Sequence, residues 1–596
     1  MKTYWEKLTS QRLSRRRTLT TAAGGGVAVA ALSLVGCGSG EESGTGLKDA
    51  SGLLGEKKDS AAEAVPGGTW LSYREEDVIS LNPLVNTQGA AQSELIWGYS
   101  MLVKHSFGVG EMIGPESIVG DAAESWEISP DAMQITLKLR PNLKLDPRPP
   151  TSGRNVTVED IKFSCDTAEK SSPYAPSLFN SASPAGPIKS VETTDASTVV
   201  MKMAFPYAPI LEILGHQQHP VVVPVEADGR FNASAEMRGS GPYILSNYQQ
   251  SSRFEYERNP GYYVSNRPFF DKVFKPILTD YAAGLAQFET KAIWDFLVKP
   301  ADILRVKNDH PEMVMLVEPR PSGYISQKIY NISKQPTSIF ADVRVRRALS
   351  MTIDRDLYID AMNDVEGYRR VGLPLETAWN GHLAAYFPSW IDPRNEKELG
   401  EGAKWFRHDN DEAKKLLDAA GVTGKVTFPW GYYTDRGTEH TKINEIVANM
   451  AVDSGLFEVK LEPLPYASTW RDVCQGSNGD GFSGLCYNSA DGFNEDAYLV
   501  NIYTPEGKFA TASKPTPVLT DMVLQSRTEL DPERRSEIIK DIQRRAAMEM
   551  HYLPIPGRIL EFTLRWPWLR NHGVFERGGL TARDFTEVWH DEKLKS

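Results

Sequence analysis

Cysteine is nearly absent: four residues in 596, at positions 37, 165, 474 and 486. So few cannot build a disulfide framework, and their spacings are unlike those of zinc sites. Pairing of Cys474 with Cys486 stays open, with buried free thiols as the default. Basic residues are in deficit too, 66 against 78 acidic, for a formal charge of −12. An acidic chain without a nucleic-acid motif is not built to grip phosphate backbones, so no nucleic acid is expected as a partner. Catalytic signatures are missing as well: there is no G-x-S-x-G elbow, no H-E-x-x-H and no Walker phosphate loop. His216-Gln217-Gln218-His219 has the look of a metal pair but offers no third ligand. Adjacent acids such as Glu75-Glu76 and Glu495-Asp496 are common in an acidic chain, and without a known separation they do not identify a glycosidase. No internal repeat is visible, and no enzyme, metal or cofactor is expected.

One stretch lacks charge altogether. Lys2, Lys7, Arg12 and Arg15 to Arg17 precede Thr18 to Gly36, which is uncharged and rich in Ala, Gly and Leu, the layout of an export signal. Ser14-Arg15-Arg16-Arg17-Thr18-Leu19 looks like a twin-arginine motif, and Leu34-Val35-Gly36-Cys37 like a lipoprotein cleavage box that makes Cys37 the lipidated first residue of the mature chain. The competing reading is an uncleaved membrane anchor, because 19 uncharged residues come close to a span. Gly24 to Gly26 and the closing cysteine argue against it. On either reading the rest of the chain lies outside the cytoplasm. Residues 37–596 carry 60 basic and 77 acidic side chains, a formal charge of −17. Anionic lipid repels such a surface, so attachment rests on the lipid itself. Residues 38–65 are mostly Gly, Ser, Glu, Lys and Ala with no periodic apolar face. They read as a flexible linker with a coil-like reach of about 30 Å.

What is present is a globular composition, 41% hydrophobic and 10% aromatic, enough for two or three packed domains. Its most informative tract is GDAAESWEISPDAMQITLKLRPNLKLDPRPPTSGRNVTVEDIKFS, residues 120–164. There Ile135, Leu137 and Leu139 alternate with Thr136, Lys138 and Arg140, the period of a half-buried strand. Ser129-Pro130-Asp131 supplies a turn, so 125–128 and 134–140 are a predicted hairpin. After a proline-rich insert, Thr157 can cap a helix with Asp160 reaching back to it. This tract resembles the signature of the family 5 extracytoplasmic solute-binding proteins, the two-lobed receptors of the peptide, dipeptide and nickel ABC importers. Two later tracts carry the same resemblance. GSGPYILSNYQQSSRFEYERNPGYY, residues 239–263, is similar to the family's "G-x-GPY … ERNP-x-Y", and FADVRVRRAL, residues 340–349, to its "F-x-D-x-RVR-x-A". In the last, Asp342 caps a predicted helix, Val345, Ala348, Leu349 and Thr352 form its inner stripe, and the arginines read as a solvated face with internal ion pairs. DPRPPTSGRN, residues 146–155, stands where the family has a short turn containing histidine and glycine.

The resemblance implies a mixed α/β, periplasmic-binding-protein-like fold: two lobes with a hinge and an extra inserted small domain. Lobe I is expected from 66–112, 236–325 and 556–596, the insert from 113–235, and lobe II from 326–555. It also implies a monomeric, non-enzymatic receptor, lipid-anchored outside the cytoplasm, that passes a solute to ABC permease and ATPase subunits. YNSADGFNEDAYL, residues 487–499, lies without gaps on the family's ligand-anchoring segment, with Tyr487 and Glu495 in place of the usual Trp and Pro. Asp491 is therefore expected to pair with the α-ammonium of a peptide. A buried ammonium must be paired, since losing one partner costs on the order of 3–5 kcal/mol. Trp97, Trp430, Tyr432, Tyr433 and Tyr487 are candidate aromatic walls, each read first as a core residue. Peptides lead as the solute class. An oligosaccharide stacked on aromatics, or a nickel or metal chelate, would suit the same fold, and a secreted carboxylate-based hydrolase is the reading from a different class.

Overall fold

In the computed structural model residues 49–595 are described, apart from 86–88, 107, 110–116, 208, 217–220, 318–324, 330–336, 386, 436–437, 476–483, 491–493, 506, 508–515 and 576–583. The expected export signal, Cys37 and Asp491 lie outside the described residues.

The predicted hairpin forms as Ala123–Ile128 and Gln134–Leu139, with Ile128 opposite Ile135 and Trp126 opposite Leu137. Its turn is tied by Ser129 Oγ, which donates to Asp131 Oδ1 at 2.6 Å, and Ala132 takes a left-handed φ of +54°. Ile135, Leu137 and Leu139 are buried, as the alternation requires. Thr198–Met203 and Ile188–Asp195 complete a four-stranded antiparallel sheet. The helix Val158–Ser171 packs on it, and the Thr157 N–H donates to Asp160 Oδ2 at 2.9 Å.

A second four-stranded sheet joins Thr69–Leu71, Lys272–Pro276, Arg253–Arg258 and Tyr243–Gln249, in that order. A five-stranded sheet runs Phe457–Leu464, Val426–Tyr433, Leu485–Ala490, Ile325–Ile329, Leu553–Pro554. Its parallel pair 426–433 and 457–464 is spanned by the helix Thr438–Asp453, since parallel neighbours need a long crossover. Gly557–Ile559 pairs antiparallel with Thr377–Trp379. Among the described residues no helix is long and apolar enough to cross a membrane.

Three expectations need correction. The described part of the 38–65 linker, from residue 49 on, is not a free tether. The Ala50 N–H donates to Gly372 O at 3.0 Å and the Gly55 N–H to Met315 O at 2.7 Å. Ser60 is buried, its Oγ donating to Asn571 Oδ1 at 2.8 Å and accepting from Trp589 Nε1 at 3.0 Å. Docking through main-chain groups, Asp59, Ser60 and a single Leu53-Leu54 pair leaves no apolar period in the sequence. The free-thiol default fails too: Cys474 and Cys486 form a disulfide with Cα atoms 5.6 Å apart, and Cys165 is a buried free thiol.

The arginines of Val343–Met351 are the third correction. Asp342 does cap the helix, accepting from Arg344 N at 2.8 Å, and Val345, Ala348 and Leu349 are buried. Arg344 pairs with Asp342 and also donates to Ala419 O at 2.5 Å. Arg346 donates to Glu549 O at 2.7 Å and to Met550 O at 3.1 Å, and Arg347 donates to Met548 O at 3.0 Å. These carbonyls close the helix Pro532–Glu549, where unpaired acceptors and the negative dipole end favour cations. Arg346→Met should therefore lower stability by about 1–3 kcal/mol, a charged donor's worth, measured by urea denaturation; an unchanged midpoint would return Arg346 to the solvated face.

Candidate functional site

The strand Leu485–Ala490 and the helix Glu495–Tyr503 bracket the segment that contains Asp491. Asn494 caps that helix, its side chain accepting from Ala497 N at 2.8 Å while its amide donates to Glu212 Oε2 at 3.3 Å. The next two acids diverge, so Glu495-Asp496 is not a paired catalytic site. Glu495 accepts from Ser389 N at 2.5 Å and Ser389 Oγ at 2.9 Å. Asp496 accepts from the Tyr207 hydroxyl and lies 3.3 Å from Arg527 Nη2. Tyr207 and Glu212 follow the strand Thr198–Met203, so the start of this helix meets a segment some 280 positions earlier in the chain. A second apolar core runs through the same place, joining Ala185 to Leu383, Phe387, Tyr498, Leu519 and Tyr552.

Burial sets the charge state here. It lifts the half-buried Glu212 carboxyl to about 6, with Glu495 and Asp496 adding to the rise and Arg535 opposing it. It also raises Glu495. Burial holds His551 and His382 down at about 3, His382 lying with its ring 4.7 Å from that of Tyr552.

The candidate aromatic walls are interior. Trp97 is 6% exposed, stacked on Phe585 at 4.2 Å with Lys275 Nζ 3.5 Å from its ring centroid. Trp430 is buried, its indole N–H donating to Asn444 Oδ1 at 2.9 Å. The helix end at Trp97 and the strand at Trp430 both face inward. Tyr432, Tyr433 and Tyr487 are buried as well. Tyr487 Oη lies 2.8 Å from His440 Nδ1, and Tyr433 packs edge-on against Trp470 at 5.1 Å. His216, first of the metal-like pair, is buried, and His219 lies outside the described residues. No cluster of three or more metal-capable side chains occurs among the described residues.

A cavity of about 200 Å³ opens between the strand Val103–His105, the turn after Arg253–Arg258 and the C-terminal segment. Lys104, Tyr262, Phe575, Phe585 and Glu587 are among its lining residues. Its polar groups are engaged: Lys104 Nζ donates to Tyr262 Oη at 3.3 Å, and Arg267 Nε contacts both Glu587 oxygens at 2.8 Å. Ligand sites run roughly 300–1,000 Å³, so this space suits one side chain more than a whole solute.

The family model for bacterial extracellular solute-binding proteins, family 5, middle region, matches residues 117–510. The chain belongs to this family. Curated relatives include the dipeptide-binding protein of Escherichia coli strain K12, 25% identical over 467 residues that make up 72% of this chain and 83% of the relative. The periplasmic oligopeptide-binding protein OppA of Salmonella typhimurium strain LT2 is 23% identical over 488 residues, 78% of this chain and 81% of the relative. Among solved structures, the periplasmic binding protein DppA of Helicobacter pylori, in complex with the peptide STSA, aligns with a TM-score of 0.72 at 17% identity, covering 89% of this chain and 99% of that one. The fold is therefore the mixed α/β, periplasmic-binding-protein-like one that the resemblance implied.

In this solute-binding protein the contacts among Tyr207, Glu212, Asn494 and Arg527 escaped sequence reasoning, since no periodicity links segments some 280 or more positions apart. Their pH response can be worked out. The two histidines are held below their ordinary value, so their contribution is present above pH 6.5 and is lost on acidification, about 2 kcal/mol each at pH 5. Glu212, held above its ordinary value, contributes the other way, its share being lost as pH rises through about 6. It regains only about 1 kcal/mol between pH 7 and 5, so the histidines win. Denaturation should show net loss of stability from pH 7 to 5, steeper by about 1 kcal/mol in Glu212→Gln; parallel profiles would remove Glu212 from this role.

Proposed function

We propose that this solute-binding protein captures peptides outside the cytoplasm and hands them, chemically unchanged, to the permease and ATPase subunits of an ABC importer. The observation that carries the reading is that relatives named for dipeptide and oligopeptide binding are matched over 83% and 81% of their lengths, which spans the receptor body and not a single shared module. Asp491 supplies the α-ammonium anchor, with Tyr487 and Tyr432 behind it. The domain arrangement is the one the resemblance implies: lobe I from 66–112, 236–325 and 556–596, the insert 113–235, and lobe II 326–555, closing by hinge motion. Export through the twin-arginine motif and lipidation of Cys37 hold the monomeric receptor at the membrane surface.

Two measurements test this. Mass spectrometry of small molecules released from the folded protein should find peptides; a sugar or a metal chelate in their place would overturn the solute class. Asp491→Asn should weaken affinity for a bound peptide by tenfold or more, about 1.4 kcal/mol, in calorimetric titration. An unchanged Kd would take Asp491 out of the site.

A further inference from the structure

Asp496 and Arg527 sit on neighbouring helices of lobe II, Glu495–Tyr503 and Pro517–Thr528, and form an ion pair within that lobe. What completes the pair comes from the other side of the junction. The Tyr207 hydroxyl donates to Asp496 Oδ2, and Arg527 Nη2 donates to the Ser177 carbonyl at 3.2 Å. The Arg527 guanidinium also lies 4.8 Å from the centroid of the Tyr207 ring. Tyr207 and Arg527 are each 1% exposed and Asp496 is 7% exposed, so the contact is made with water excluded. Asn494 and Glu212 repeat the pattern one turn away.

We propose that Tyr207, Ser177, Asp496 and Arg527 form a closure latch between the insert and lobe II, one that fixes the start of the helix Glu495–Tyr503 only when the two units are docked. The inference rests on the proposed division into insert and lobe but not on the identity of the solute. When the units part, water solvates Asp496 and Arg527 at little cost; when they dock, Tyr207 and Ser177 must replace that water. The surplus is small, because burying an ion pair costs nearly what its contacts return. Arg527 Nε and Nη1 have no hydrogen-bond partner among the described residues, which weakens the docked state further. A receptor that must release its cargo needs such a balance. Asn494, which caps the helix Glu495–Tyr503, bonds Glu212 across the same contact, so docking of the insert also holds the start of that helix.

The test uses the full soluble chain without added solute, read by hydrogen exchange and mass spectrometry. Tyr207→Phe removes one donor and little volume. It should raise exchange about tenfold in both 209–214 and 495–503. Tyr368→Phe, which removes a buried hydroxyl bonded to Pro300 O, should leave those two segments unchanged. Unaltered exchange in Tyr207→Phe, or an equal rise in Tyr368→Phe, would overturn the latch. Should Tyr207→Phe not fold, the wild-type protein decides: a shared opening rate for 209–214 and 495–503 supports the latch, and independent rates overturn it.

Discussion

Main-chain pairing on both edges of Leu485–Ala490 is the constraint on which the rest of this receptor depends. Val426–Tyr433 holds one edge in parallel and Ile325–Ile329 the other in antiparallel. A strand paired on both sides cannot slip by one residue without sending every side chain to the wrong face. The disulfide from Cys486 to Cys474 and the Trp470 N–H, which donates to Tyr487 O at 3.0 Å, fix the same strand from outside the ladder. The strand therefore delivers the chain to residue 490 in a defined place and direction. Recognition residues on a loop need such a scaffold, because the loop alone cannot hold them.

The acidic character of the chain is managed by giving its buried carboxylates different surroundings. Burial alone would push Glu94 up, but the Lys275 ammonium at 3.0 Å and the Arg74 guanidinium at 2.6 Å outweigh it and hold the carboxyl at about 2. That acid is a permanent charge, packed with Trp97 and Tyr256 into the interior of the sheet that begins at Thr69. Glu212 has the opposite setting: two further acids, Glu495 and Asp496, add to the effect of burial. The same residue type is thus a fixed structural ion in one place and a responsive group in another. The difference lies entirely in which neighbours the fold supplies.

Where a signal is local, the sequence was readable. The hairpin around Ser129 and the capped helices after Thr157 and Asp342 all form, because turn chemistry, capping and apolar period act within a few residues. The family, too, was legible from three short tracts. Aromatic residues were not: Trp97 and Trp430 carry no mark that distinguishes a wall from a core, since both roles ask for the same large apolar ring. Residues 49–63 hid for a related reason, as a segment docked by its backbone looks like coil in composition. Arg346 and Arg347 read as surface charge because the carbonyls they cap lie some 200 positions away.

The amino-acid sequence by itself determined the kind of chain this is: an acidic, cysteine-poor α/β solute-binding protein, whose elements follow from local period and capping. Tertiary structure alone decided which distant groups meet. Ion pairs, the Cys474–Cys486 bridge and the contact of Tyr207 with Asp496 depend on separations in space that no local pattern encodes. Burial, which turns one carboxylate into a fixed anion and another into a titrating acid, is likewise a property of the packed chain and not of any segment within it.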